Sequence, residues 1–229
     1  MASNPADDTI YSGYSGSATG PLPLVEAIRQ LPNQYFRVLT KPSAETFTQE
    51  KGKAAWDIVG VQLLIQLLSY TIISAILGFL LSLFTKFSSA FIVTSLGVPD
   101  ELLPRGLLAT LASILIPSLF FLAGTGTIHM IARFLGGQGR FVEQCYALLL
   151  FQVPITILAN LLWLVPYGAP YGLPALSVYS VILLFLSIMG VQNLSTGRAV
   201  ATLLISVAVI PIVVGILIRF LAIGFFPIF

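Results

Sequence analysis

Charge is what this chain has least of. Acidic and basic residues together make up 9% of its 229 residues, against 57% hydrophobic. Soluble domains carry about 25% charged residues, and a soluble fold this poor in charge could not cover its surface. There is one cysteine, Cys145, and one histidine, His129. A single cysteine excludes an intrachain disulfide, and the pair leaves no ligand set for a metal. A net charge of +2 gives no basis for nucleic-acid binding. No HExxH, GxSxG or CxxC occurs, and His129 has no serine or aspartate at diagnostic spacing. Neither an enzyme nor a cofactor site is expected. The opening MASNPADDTIYSGYSGSATG is acidic and has no apolar core, so it is no signal peptide. The first span must then act as its own targeting signal.

What the chain does have is long apolar runs. A hydrocarbon core of ~30 Å takes about 20 residues of helix. Five segments qualify: 58–84, 107–134, 145–165, 173–194 and 199–218. The expected architecture is an all-α integral membrane protein, a five-transmembrane-helix bundle over residues 57–229. Residues 1–21 are expected to be disordered, with little to bury. Residues 22–56 are expected to form a short cytoplasmic amphipathic segment on the membrane. Leu24, Ile28 and Leu31 share a helical spacing there, and Pro32 should stop or bend that helix. A second short helix should start near Ser43, carry Phe47 and run toward Trp56. Residues 85–106 are expected to dip into the interface or to add a partial helix.

Orientation follows from the basic residues in short connections. Arg29, Arg37, Lys41, Lys51 and Lys53 precede the first span, Arg133 and Arg140 follow the second, and Arg198 follows the fourth. Lys86, Arg105 and Arg219 fall on the other side. The majority side is expected to be cytoplasmic, which places the N-terminus inside and the C-terminus outside. The loop VPYGAPYGLP carries no charge and reads as an aromatic belt on the outer face.

The stretch HMIARFLGGQGRF, residues 129–141, admits two readings. A phosphate cradle would follow a strand, and lysine and a hydroxyl residue would follow its glycines. Here a membrane helix precedes it, there is no Gly-Lys-Ser/Thr, and Gly136-Gly137-Gln138-Gly139 misses the dinucleotide spacing. A tight turn explains more. Glycine after a helix permits left-handed dihedrals. Arg133 in the last turn favours the negative end of the helix dipole, and Glu143 suits the first turn of the next helix. Arg140 meets headgroups from the loop, and Phe141 re-enters the interface. His129 is expected to be hydrogen-bonded inside the bundle, with Glu143 and Gln192 as candidate partners.

HMIARFLGGQGRFVEQCYALLLFQVP resembles the central signature of the Yip family, the Rab-GTPase-interacting membrane proteins. The matching positions are His129, Gly136, Gly137, Gly139, Phe141 and Pro154. KPSAETF, before the first span, is similar to an element of prokaryotic members. The resemblance covers roughly residues 36 to 215. It implies five helices, a cytoplasmic N-terminus and a role without catalysis. The Asp-Leu-Tyr/Trp-Gly-Pro element of eukaryotic trafficking members is missing, so Rab-type GTPase binding is not carried over. The likeness points to a prokaryotic cytoplasmic membrane, or to Golgi or ER membrane in a eukaryote.

Small residues mark expected packing faces: Tyr70, Ser74, Gly78 and Ser82 in the first span, Gly124 and Gly126 in the second, and Ala201, Ala208 and Gly215 in the fifth. Pro117, Pro154 and Pro211 are expected to bend their spans. Expected partners are membrane lipids and a membrane protein or a second copy. The expected role is a membrane-organising adaptor that binds partners or handles lipid, with the family positions, Arg133 and Glu143 at its contact or packing site. The alternative is a small-molecule, ion or lipid transporter using Gln62, Gln66, Gln152 and Asn160, which lie deeper in the spans.

Overall fold

The computed structural model of the chain describes residues 23–85, 107–163, 165 and 168–225. Among these residues the fold is all-helical, with seven helices and no strand. They are α1 (Leu24–Thr40), α2 (Ala44–Lys51), α3 (Trp56–Thr85), α4 (Leu107–Phe134), α5 (Phe141–Leu162), α6 (Gly168–Gln192) and α7 (Thr196–Phe225). Apolar stretches long enough to cross a membrane occur in four of them: Trp56–Ile73, Phe141–Leu162, Gly168–Gln192 and Thr196–Phe220. The expectations for residues 1–21 and 86–106 lie outside the described residues. So do those for the side chains of Tyr70, Ser74, Gly78 and Ser82.

α5 is the axis of the bundle. It packs most extensively on α3 and α6, while α4 pairs with α7 as a second layer. Every residue from Gln144 to Phe151 is buried. A helix apolar on all sides belongs in the middle of a bundle, and α5 is there. Its 22 residues span about 33 Å, close to the hydrocarbon thickness. Trp163 and Tyr171 are exposed near one end of the bundle, and Trp56 and Phe134 at the other. Two aromatic belts at this separation fit a bilayer.

Helix ends follow local chemistry. Ser43 caps α2, its Oγ accepting from the Thr46 N–H at 3.0 Å. α5 starts at Phe141, ahead of the expected Cys145. The Glu143 carboxylate accepts from the Arg140 backbone N–H at 2.9 Å and from Arg140 Nε at 2.7 Å, which anchors the first turn there. α6 begins at Gly168 rather than Leu173, because Pro170 falls in a first turn where its missing N–H costs nothing. α6 ends at Gln192, where Asn193 takes a φ of 53°.

The N-terminal helices form a docked pair. α1 runs unbroken through Pro32, which correlates with where that residue points. Pro32 and Ile28 are both exposed, so the carbonyl that loses its helical donor faces outward. The buried stripe of α1 is Ala27, Leu31, Gln34 and Val38, while Leu24 and Ile28 stay exposed. The stripe rests on α5 and α3. Gln34 Oε1 accepts from the Tyr146 hydroxyl at 2.8 Å, and the Leu39 carbonyl accepts from the Tyr179 hydroxyl. Phe47 of α2 is fully buried, edge-on to Phe151 at 6.3 Å, a contact worth about 0.5–1.5 kcal/mol beyond its buried area. α2 lies close on α6 because position 190 is glycine. A Cβ there would meet the Ala44 carbonyl oxygen at 2.2 Å. Lys51 Nζ then caps the end of α6, donating to the Gly190 and Val191 carbonyls at 3.2 Å each.

Inside the bundle, α7 packs through residues other than its small-residue row. Its buried residues are Ala199, Thr202 and Ser206, whereas Ala208 and Gly215 are exposed. α7 packs chiefly on α4, the other helix of its layer. Of the small-residue row, Ala201 is half-buried and only Ala208 and Gly215 look outward.

Candidate functional site at the glycine turn

The α4–α5 turn is built from its backbone. The Gly137 N–H donates to the Ala132 carbonyl at 2.8 Å and the Gly136 N–H to Arg133 at 3.0 Å. This is a Schellman ending, and Gly136 supplies its left-handed residue with a φ of +95°. The next three N–H groups are used as well. Gln138 donates to the Gln192 carbonyl at 3.0 Å, Gly139 to Gln192 Oε1 at 3.0 Å, and Arg140 to Glu143 Oε2 at 2.9 Å. Five consecutive N–H groups are consumed internally. A phosphate cradle must turn such groups outward, so the turn reading holds on geometry.

Gln192 is the hub of this end of the bundle. It is fully buried at the end of α6. A backbone N–H can only donate, so the Gln192 atom facing Gly139 is the oxygen and the –NH₂ faces the other way. That amine donates to Gln144 Oε1 at 3.2 Å and contacts His129 Nδ1 at 3.0 Å. His129 Nδ1 is therefore the acceptor, and the imidazole proton is on Nε2. Of the two candidate partners for His129, Gln192 makes the bond, while Glu143 turns to Arg140.

The turn can be this tight only with glycine at two further positions. A Cβ on Gly137 would meet Gln192 Oε1 at 2.7 Å, and one on Gly139 would meet the Val191 carbonyl oxygen at 2.6 Å. Phe141 closes the site from α5. Its ring lies 5.6 Å from the His129 ring and 5.8 Å from Trp56, joining α4, α5 and α3. The structure thus brings His129, Gly136, Gly137, Gly139, Phe141 and Glu143 to one turn. Arg133 is exposed beside it. Pro154 is elsewhere, about 20 Å along α5 from Phe141. Sequence reasoning missed Gln144 and the carbonyl of Val191. The one signal for Gln144 was an amide in a run otherwise apolar.

Around the turn the surface is basic and partly apolar. Arg133, Arg140 and Arg198 are exposed, and Arg198 approaches Gly136 from the first turn of α7. Arg133 and Arg198 form no ion pair among the described residues. Phe134 is 84% exposed and Met130 57%. No group of three or more potential metal ligands occurs among the described residues.

These features define a polytopic helical membrane protein with a turn locked from within. The chain belongs to the Yip1-domain family: the family model described as the Yip1 domain matches residues 36–218. That match begins inside α1 and ends inside α7, so it takes in α2 and the whole of the glycine turn. Comparison with curated proteins and with solved structures gives no significant match.

Proposed function

We propose that the protein is a non-enzymatic, membrane-organising member of the Yip1-domain family, with five crossings, α4 supplying the fifth. Its basic end faces the cytoplasm and engages anionic headgroups and a protein partner. The observation that carries this reading is the pairing of exposed Phe134 with Arg133 and Arg198, neither of which has an acidic partner among the described residues. An exposed ring and unpaired guanidinium groups at a helix end suit headgroups and acidic protein surface alike. The α1–α2 pair widens that end of the bundle and adds Arg29 and Lys41, both exposed.

The test is site-specific photo-crosslinking in native membranes. A crosslinker at Phe134 should capture a reproducible partner or anionic lipid, and one at Trp163, at the opposite end, should not. Equal capture from both positions would refute the reading. The second reading, movement of a small molecule, ion or lipid, has one observation in its favour: Gln66 and Gln152 line the same cavity.

A further inference from the structure

The two helix layers do not close on each other at mid-depth. A cavity of about 430 Å³ lies between α3, α4 and α5, and its wall includes Gln66, Pro117, Ser118, Gln152 and Thr156. A second, also of about 430 Å³, lies among α4, α5, α6 and α7. Phe120, Phe121, Gln152 and Thr156 line both. Each is within the ~300–1,000 Å³ range of small-molecule sites.

The polar groups set the chemistry. Gln66 lies about 15 Å along α3 from Trp56, and Gln152 about 16 Å along α5 from Phe141. Trp56 and Phe141 touch at 5.8 Å, so the two amides share one level, half-way through a ~30 Å core. Neither amide has a hydrogen-bond partner among the described residues. Pro117, on the same wall, leaves the Ser113 carbonyl without its helical donor. An amide unpaired in hydrocarbon is costly. Two of them facing one apolar cavity call for a bound molecule with oxygens of its own. Among the described residues, no Asp, Glu, Lys, Arg or His lines either cavity. A charged group at that depth would find no counter-charge. The remaining lining is mostly Leu, Phe and Ile, which suits a hydrocarbon chain.

We propose that the interlayer cavity binds an uncharged bilayer amphiphile, a neutral glycerolipid in its chemistry. Gln66 and Gln152 hydrogen-bond its hydroxyl and ester oxygens, and a chain passes Phe121 into the second cavity. This site is separate from the glycine turn, so its failure would leave the adaptor reading standing, and the converse holds.

The test uses the full chain in phosphatidylcholine nanodiscs with a diazirine-bearing diacylglycerol as probe. After illumination, labelled peptides are mapped by mass spectrometry. Label should concentrate at residues 63–67, 117–121 and 152–156. The double variant Gln66→Leu/Gln152→Leu should lower it about tenfold, the effect of losing two hydrogen bonds. Label spread evenly over outward residues such as Leu204 and Ile212 would overturn the proposal. Equal labelling by a diazirine-bearing phosphatidic acid would overturn the uncharged class. Mapping on the unaltered protein decides both, even if the variant fails to fold.

Discussion

The Gly139 N–H donates to Gln192 Oε1 at 3.0 Å, and this bond sets the direction of the whole Gln192 amide. Three helices and the turn meet at that side chain. Gln192→Leu keeps the approximate shape but strands the Gly139 N–H and the Gln144 carbonyl oxygen. Each buried group left unpaired costs about 1–3 kcal/mol. The variant should lose on the order of 3 kcal/mol, read by unfolding in mixed micelles. A loss below ~1 kcal/mol would mean that water or a neighbour readily replaces the hub.

The same bond dictates the tautomer of His129. Its Nδ1 faces an –NH₂ and must accept. Nitrogen-15 NMR of histidine-labelled protein at neutral pH should show the proton on Nε2. A protonated Nδ1 would require the Gln192 amide to be reversed, and its oxygen could then no longer serve Gly139.

Glycines in this chain should divide sharply on substitution. Gly139→Ala puts a Cβ 2.6 Å from a backbone carbonyl that cannot swing away, and should cost about 1–3 kcal/mol. Gly60→Ala, inside α3 with nothing within 4 Å, should stabilise by up to about 1 kcal/mol. Thermal denaturation of the two variants side by side is the check, and the same sign for both would contradict the packing described here.

The turn was readable from sequence because its signals are local: three glycines, an arginine before and a glutamate after. His129 and Gln192 could be paired because both are polar residues near span ends on one side. The docking of α1 was not readable. Its buried stripe includes Gln34 and leaves Ile28 outside, since the Tyr146 hydroxyl supplies a partner that no local pattern announces. Apolar periodicity also fails inside a membrane, where lipid and protein are equally apolar neighbours. Ala201, Ala208 and Gly215 therefore suggested a packing face for α7, although the buried stripe runs through Thr202 and Ser206.

Glu50 ties α1 to α2 in an asymmetric way. Its side chain is 2% exposed, whereas Arg37 at 3.2 Å is 48% exposed and Lys53 at 2.7 Å is 25% exposed. Glu50→Leu removes the buried charge and lets both cations return to water. It should cost on the order of 1 kcal/mol. Replacing both cations, Arg37→Met with Lys53→Met, leaves the carboxylate buried alone and should cost about 3–5 kcal/mol. Hydrogen exchange of α1 and α2 would rank them, and a larger loss from Glu50→Leu would invert the assignment.

Tyr35 and Tyr146 are buried hydroxyls with opposite roles. Tyr146 donates to Gln34, while the Tyr35 hydroxyl has no partner among the described residues. Tyr146→Phe should cost about 1–2 kcal/mol, and Tyr35→Phe should be neutral or stabilising by up to about 1 kcal/mol. Alkaline titration adds a second check. Burial pushes the Tyr35 phenol above its ordinary value of 10.0. Above that pH the unfolded chain releases a proton that the folded one keeps, so this residue's stabilisation is lost as pH rises. The slope is about 1.4 kcal/mol per pH unit. Tyr35→Phe removes that proton and should flatten the alkaline decline by this amount. An unchanged slope would mean that the phenol reaches water in the folded protein.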